Sequence, residues 1–566
     1  MTAPKSHTRP LLARLWRHVA DQWIVHLTLL VMAALFVFPF IWMIGMSLKT
    51  DDEATSTAMF PAVPTFRAAS PFVVPPENLP RPETVDRARW ENLLPQLTAA
   101  AKAAIAPLPL PPGVGPDIAD LLRDAATVEA VRRGIGRLDD RRWADSGGDA
   151  QMLADFKSTL TPDELQILLG DRLARFELTG IQIRSLSGHV NQITRPGQPD
   201  GWKVVSGNAD LVPSGGSALM VRYRFDSASA EPVVLRYDFA AGVTPAELHR
   251  LIISYTGDAS WHRMDVQFRL DDKTYTSDSS TYIAQSRASG LLLQPPTFQD
   301  DTLGPRSWVP LTPEDSTAIG GDNMASLTLT LTPSSTVRAV YGKVERNYAR
   351  AFRSVPFWTY VRNSVILVVL QLAGAMFSSG FVAYAFARLN WPGRSLALGV
   401  LLATMMLPAQ VTMIPTFMIW RSLGWYNTLN PLWIGAWLGN AFFIFLMIQH
   451  MKTIPRELDE AAKIDGMNPL QTWWYVIMPQ VKPTMAAIAI MTFMGAWNEF
   501  MGPLMMLRDQ SKFPLSLGLF SMRLDSGDDW SLIMAGNLLM TLPVIVIFFL
   551  FQRYFVEGVA VTGMKG

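Results

Sequence analysis

Hydrophobic and polar positions along this chain fall into three regimes. Six stretches are apolar for long enough to cross a hydrocarbon layer of about 30 Å, at 23–47, 362–387, 396–420, 430–450, 484–507 and 533–554. Between the first and second lie roughly 310 residues of mixed character. There, residues 52–83 are rich in Pro, Ala and Thr and read as an extended linker. Over 84–175 apolar residues recur every three or four positions, as in ARWENLLPQLTAAAKAAIA and DIADLLRDAATVEAVRRGI, which predicts a helical segment. Over 176–340 the period becomes two, as in ALMVRYRFD, PVVLRYDFA and ASLTLTLTP, with turn residues at hairpin spacing. That pattern predicts an antiparallel, β-sandwich-like domain. The remaining spans fall within 345–566, and 1–50 holds the N-terminus and the first span.

Basic residues orient the spans. Lys5, Arg9, Arg14 and Arg17 precede the first, and Arg388, Arg394, Lys452, Arg456, Lys463, Lys482, Arg553 and Lys565 then fall on the same side. Both termini are therefore expected in the cytoplasm, with residues of about 50–355 outside and the loop of Asp525, Asp528 and Asp529 also outside. The first span is too long for a signal peptide and has no small-x-small cleavage site near Pro39, Trp42 and Lys49. With 49 basic and 48 acidic side chains the net charge is +1, which gives no electrostatic case for nucleic acid. The chain has no Cys, so it has neither disulfides nor thiolate metal sites.

Between the fourth and fifth spans, Glu460–Pro479 carries the start and stop signals of two short helices. Thr453 and Pro455 suit a helix start, Gly466 a C-terminal cap, Asn468-Pro469 a second start, and Pro479 its end. Ile454, Leu458, Ala461 and Ala462 share one face, bordered by Glu457 and Glu460. Such a face suits docking into a groove of a partner; the alternative is a helix resting on lipid headgroups.

This segment resembles the EAA loop of ABC-importer permeases: Glu-Ala-Ala, three residues, Gly466, nine residues, then a hydrophobic-x-hydrophobic-Pro ending, with Val476 and Met478 in place of Ile and Leu. FPFIWMIGMSLKT, AYAFARLNWPGR, GAWNEFMGPL and the terminal RYFVEGVAVTGMKG are similar to parts of the maltose and glycerol-phosphate type subfamily. The resemblance implies a mainly α membrane protein of six transmembrane helices, in a bacterial inner membrane. It further implies a sugar importer working with a homologous second permease, two ATPase subunits and an extracytoplasmic binding protein. By the same resemblance Glu460, Ala461, Ala462, Asp465, Gly466 and Pro479 couple to the ATPase. Thr562, Gly563, Lys565 and Gly566 would lie near it. The large insert departs from the family's short connection.

Polar groups within the spans are candidates for a substrate path: Gln410, Asn440, Trp497, Asn498 and Glu499. Each could instead bridge helices, the reading favoured for Gln371. Pro408 and Pro415 bend the third span, and Gly374 and Gly380 allow close helix packing. In the insert, Trp202, Tyr223, Tyr237, Tyr255, Trp261 and Trp308 could stack on sugars, though such aromatics more commonly fill cores. Asp271-Asp272 and Asp300-Asp301 could hold calcium but read better as turns. No GxxxxGK[ST] occurs, nor any hydrolase pattern, so no cofactor is expected in this chain, and ATP and magnesium would belong to a partner ATPase. A membrane sensor with a ligand-binding outer domain is the rival from another class; a passive channel, or a permease for glycerol phosphate, is a further alternative.

Overall fold

The computed structural model describes residues 23–54, 58–74, 79, 81–138, 143, 148–194, 201–214, 218–284, 288–295, 308–316, 324–526 and 529–563. Lys5, Arg9, Arg14, Arg17, Asp300, Asp301, Asp528, Lys565 and Gly566 lie outside them.

The helical part of the insert contains Arg87–Ile105, Pro116–Arg137, Asp149–Ser158 and Pro162–Asp171. Asp86 starts the first by accepting from the Arg89 N–H at 2.8 Å, and Pro116 follows Gly115 where a missing N–H costs nothing. Trp90, Leu93, Leu97, Ala101 and Ile105 repeat at three and four and are buried against Leu122, Ala126, Val131, Phe156 and Leu169. Glu129 is buried within this bundle. Although its burial opposes ionisation, Arg132 and Arg133 hold its carboxyl below the usual range.

The β part is a connected sheet of 14 strands among the described residues. Leu248–Thr256 lies between Phe176–Ser185 and Ala288–Gln294, both antiparallel, with Leu251 opposite Ile183 and Leu293. Arg263–Leu270 and Val233–Ala240 flank Met324–Thr332 in the same sense. One parallel pairing, Leu293 with Val309, joins the two antiparallel halves. Val233, Leu235, Tyr237 and Phe239 alternate inward with half-exposed neighbours. Side chains from both halves share one core, including Phe176, Ile253, Phe268 and Leu329. The sequence pattern predicted a sandwich-like domain; the strands form one sheet folded over its own apolar face.

Helix Thr336–Ser354 carries the chain back to the membrane half. Its Asn347 side chain donates to the Ser47 and Lys49 carbonyls at 2.9 and 2.8 Å, and Tyr348 meets the Ser47 hydroxyl at 2.9 Å. The two stems of the insert are thereby fastened to each other.

Among the described residues, four helices are long and apolar enough to cross a membrane: Trp23–Ser47, Phe357–Arg388, Asn430–Thr453 and Trp530–Leu550. A fifth crossing results if Pro469–Gln480 and Lys482–Asn498, bent by 81°, count as one. Six transmembrane helices were expected; four or five of sufficient length occur among the described residues. The stretch 396–420 is two helices, Arg394–Thr404 and Ala409–Ser422, because Pro408 disfavours a helical conformation in the residue before it and itself takes an extended conformation. The stretch 484–507 likewise breaks at Glu499, whose ψ is 121°. Phe357–Arg388 is the hub, packing on Ala441–Thr453, Asn430–Trp437 and Lys482–Asn498. Gln371 Nε2 donates to the Leu432 carbonyl at 2.9 Å, the helix bridge favoured from sequence.

Candidate coupling loop and transport path

Arg388 ends the hub helix at its far end from the insert, and there it meets the loop of 453–479. Its Nη2 donates to the Met451 and Ile454 carbonyls at 2.6 and 2.8 Å. These carbonyls close a helix, where backbone acceptors lack helical partners. Its Nη1 lies 2.9 Å from Asp459 Oδ2. The first short helix runs over Glu457–Ile464, so it starts after Pro455 rather than at Thr453. Three carboxylates in its first turn suit the positive end of the helix dipole. Gly466 has φ +79, and its N–H donates to Lys463 while Met467 reaches back to Ala462. This left-handed stop is open to glycine at little cost.

Ala462 and Ile454 are buried, whereas Leu458, Glu460, Ala461 and Ile464 are exposed. The expected common face of Ile454, Leu458, Ala461 and Ala462 is therefore divided. Arg388 grips Asp459 and turns Ala462 inward, leaving Ile464 86% exposed beside Glu460. Asp465 is exposed at the helix end.

The second helix begins at Asn468, which exchanges hydrogen bonds with Gln471 in a capping box. It continues through a π-helical stretch, Thr472–Ile477, to Gln480. Pro479 does not end it, contrary to expectation: the wider π turn pairs the Met478 N–H with Trp473, five residues back. Trp473 Nε1 donates to the Gly380 carbonyl at 3.1 Å and seats this helix on the hub.

The residues expected along a substrate path differ in their local surroundings. Asn440 caps Ala441–Thr453, its Oδ1 accepting from the Phe442 and Phe443 N–H groups. Trp497 is buried, stacks on Phe493 and donates to the Met540 carbonyl, so it packs two helices together. Gln410, Asn498 and Glu499 are exposed. Glu499 Oε1 accepts from the Gly502 N–H at 2.8 Å and closes the helix break. Thr562 and Gly563 end the last helix. In the insert, Trp202, Tyr223, Tyr237, Tyr255 and Trp261 are buried packing residues, and Trp308 is half-buried. Asp271 occupies a left-handed turn, and no cluster of three metal-ligating side chains occurs among the described residues.

Apolar helices of spanning length around a hub, with a structured polar loop at one end, define a helical membrane permease. The family described as "Binding-protein-dependent transport system inner membrane component" matches residues 356–561, and the chain belongs to it. It is similar to the arabinooligosaccharides transport system permease of Halalkalibacterium halodurans, 32% identical over 37% of this chain and 75% of the relative. The galactooligosaccharides transport system permease of Bacillus subtilis is 34% identical over 39% of this chain and 80% of its own. The sn-glycerol-3-phosphate transport system permease of Yersinia enterocolitica is 31% identical over 36% and 73%. The chain is thus a carbohydrate-type ABC importer permease, and the family match begins after the insert, at residue 356.

Proposed function

We propose that this chain is the permease subunit of an ATP-driven importer for a disaccharide or oligosaccharide, coupled to a separate ATPase through the loop of 453–479. The observation that carries the reading is the exposed patch of Leu458, Glu460, Ala461 and Ile464 on a helix held rigidly to the hub. An exposed apolar side chain beside carboxylates suits a partner groove better than anionic lipid. Glu460 meets a basic group there, Gly466 permits the turn, and Pro479 shapes the return. Residues Thr562 to Gly566 approach the same partner.

In mechanism, closure of the ATPases pushes the docking helix, and Arg388 passes the motion to Phe357–Arg388 as a rigid body. ATP and magnesium belong to the ATPase. The assembly contains a second permease, two ATPases and a binding protein, and it sits in the inner membrane with both termini cytoplasmic and the insert outside. Six crossings result if Arg394–Ser422 and Lys482–Met506 each cross once despite their breaks. Gln410, Asn498 and Glu499 then face the partner permease across the path, because as exposed polar groups in a bundle they need a wet surface. Glycerol phosphate remains a second reading, supported by the third relative's name.

Uptake by reconstituted vesicles tests the coupling. Glu460→Lys and Gly466→Pro are expected to abolish ATP-driven uptake while leaving the permease assembled. Full uptake by both variants rejects the docking assignment.

A further inference from the structure

A cavity of about 840 Å³ opens between the β domain, helix Thr336–Ser354 and the adjoining end of the bundle. This is within the range of small-molecule sites, roughly 300–1,000 Å³. One wall is a single stripe of that helix, carrying Arg338, Arg346, Arg350 and Arg353. Fifteen residues separate its ends, so at 1.5 Å per residue the stripe is about 22 Å long. The facing wall brings Tyr255, Tyr282 and Trp308 to the cavity, with the Ser279 and Ser289 hydroxyls.

Charge is unevenly settled along the stripe. Arg346 pairs with Asp51 at 3.2 Å, and Arg350 with Asp529 at 2.5 Å. At either end, Arg338 and Arg353 have no carboxylate within ion-pair distance among the described residues. Arg353 Nη2 donates to Ser279 at 2.9 Å, which leaves most of its donors open. Glu345 is the third carboxylate on the cavity wall, so guanidiniums exceed carboxylates by one. Aromatic rings between two separated cations fit a linear chain of flat-faced rings with carboxylates. A neutral sugar leaves both terminal guanidiniums without counter-charge, and a single small anion reaches only one.

We propose that this cleft binds an acidic oligosaccharide, a linear chain of uronate residues, at the outer mouth of the permease. The choice of a saccharide rests on the importer reading above; the demand for carboxylates rests on Arg338 and Arg353. The rings stack on Trp308 and Tyr282, and the carboxylates pair with the terminal guanidiniums.

The test is calorimetric titration of the full-length chain in lipid nanodiscs with trigalacturonate, and with maltotriose as the neutral control. Trigalacturonate is expected to bind at least about tenfold more tightly than maltotriose and to weaken as salt rises. Arg338→Gln and Arg353→Gln should each weaken trigalacturonate about tenfold and leave maltotriose unchanged. Trp308→Ala should weaken both, with Trp308→Phe restoring them. Equal affinity for the two sugars overturns the proposal, as does trigalacturonate binding that neither Gln variant alters. Should a Gln variant fail to assemble, Arg353→Lys keeps the charge and must bind between wild type and Arg353→Ala; wild-type affinity in Arg353→Ala also overturns it. The titration needs no ATPase, so failure of the Glu460 and Gly466 uptake test leaves it standing, and the reverse holds.

Discussion

Arg388 and Asp459 form an ion pair of 2.9 Å in which the guanidinium side chain is 4% exposed and the carboxylate side chain 15%. The same guanidinium takes up two helix-end carbonyls. One side chain therefore joins the hub helix, the end of Ala441–Thr453 and the docking helix. Together with the Trp473 bond to the Gly380 carbonyl, it fixes the loop to the hub.

Removing the guanidinium strands both a largely buried carboxylate and two carbonyls. Arg388→Ala is expected to cost about 3–5 kcal/mol, the usual penalty for breaking a buried pair. Transport per ATP hydrolysed in reconstituted vesicles should fall more steeply than ATP turnover. Arg388→Lys keeps the charge but cannot hold three acceptors in a fork, so it should recover stability only in part. Wild-type melting and coupling in Arg388→Ala rejects the link.

The stems of the insert offer a second contrast. Lys343 Nζ lies 2.6 Å from Glu53 Oε1 and 2.7 Å from the Ala62 carbonyl. Burial pushes the Lys343 ammonium below its ordinary range, against the pull of Glu53. Glu53→Ala leaves that ammonium buried with no carboxylate at 2.6 Å and should lower stability by about 3 kcal/mol or more. The double change Lys343→Met with Glu53→Gln removes both charges and should cost far less. Thermal melting of the two variants in one lipid decides it; equal melting temperatures reject the pairing as a determinant of stability.

His262 makes the β domain sensitive to acid. Its Nδ1 accepts from the Ser334 N–H at 3.1 Å, and Nε2–H donates to the Arg67 carbonyl at 2.7 Å, an arrangement only the neutral ring supports. Burial lowers its pKa, outweighing the opposing pull of Asp258, whose carboxylate accepts from Tyr223 at 2.5 Å. A base with a depressed folded-state pKa contributes stability that is complete above its unfolded value of about 6.5. That stability is lost as pH falls from there through the folded pKa. Melting followed by circular dichroism should show a decline below pH 6.5 that is reduced in His262→Gln. Parallel pH profiles in the two proteins reject the assignment.

Much of this architecture was legible because it depends on one element at a time. Apolar length alone located Trp23–Ser47, and alternation alone located Val233–Ala240. Gly466 announced its left-handed turn because a helix stop is a local event. What depended on distant partners was hidden. Asn347 is paired with Ser47 from 300 residues away, and the parallel bond between Leu293 and Val309 has no sequence signature. The inward face of Glu457–Ile464 could not be read from its stripe because Arg388, 71 residues earlier, decides it. Asn440 and Trp497 show a related ambiguity: a polar group in an apolar span can cap or anchor a helix as readily as touch a solute.

Gly374 and Gly399 separate packing from propensity on the same bundle. A Cβ at Gly374 would sit 2.4 Å from Trp437 Cδ1, and that indole is held by its 3.0 Å hydrogen bond to the Leu370 carbonyl. The ring cannot retreat without losing the bond, so Gly374→Ala should cost about 1–3 kcal/mol through overpacking. At Gly399, within Arg394–Thr404, a Cβ meets nothing within 4 Å. Gly399→Ala should therefore stabilise the chain by up to about 1 kcal/mol through helix propensity alone. Trp437→Phe has no indole bond to hold it and should relieve the Gly374→Ala defect, making the double variant more stable than the sum of single effects. Melting of the four proteins in one detergent measures the cycle. Additive effects would mean that the close approach of these two helices does not depend on the glycine.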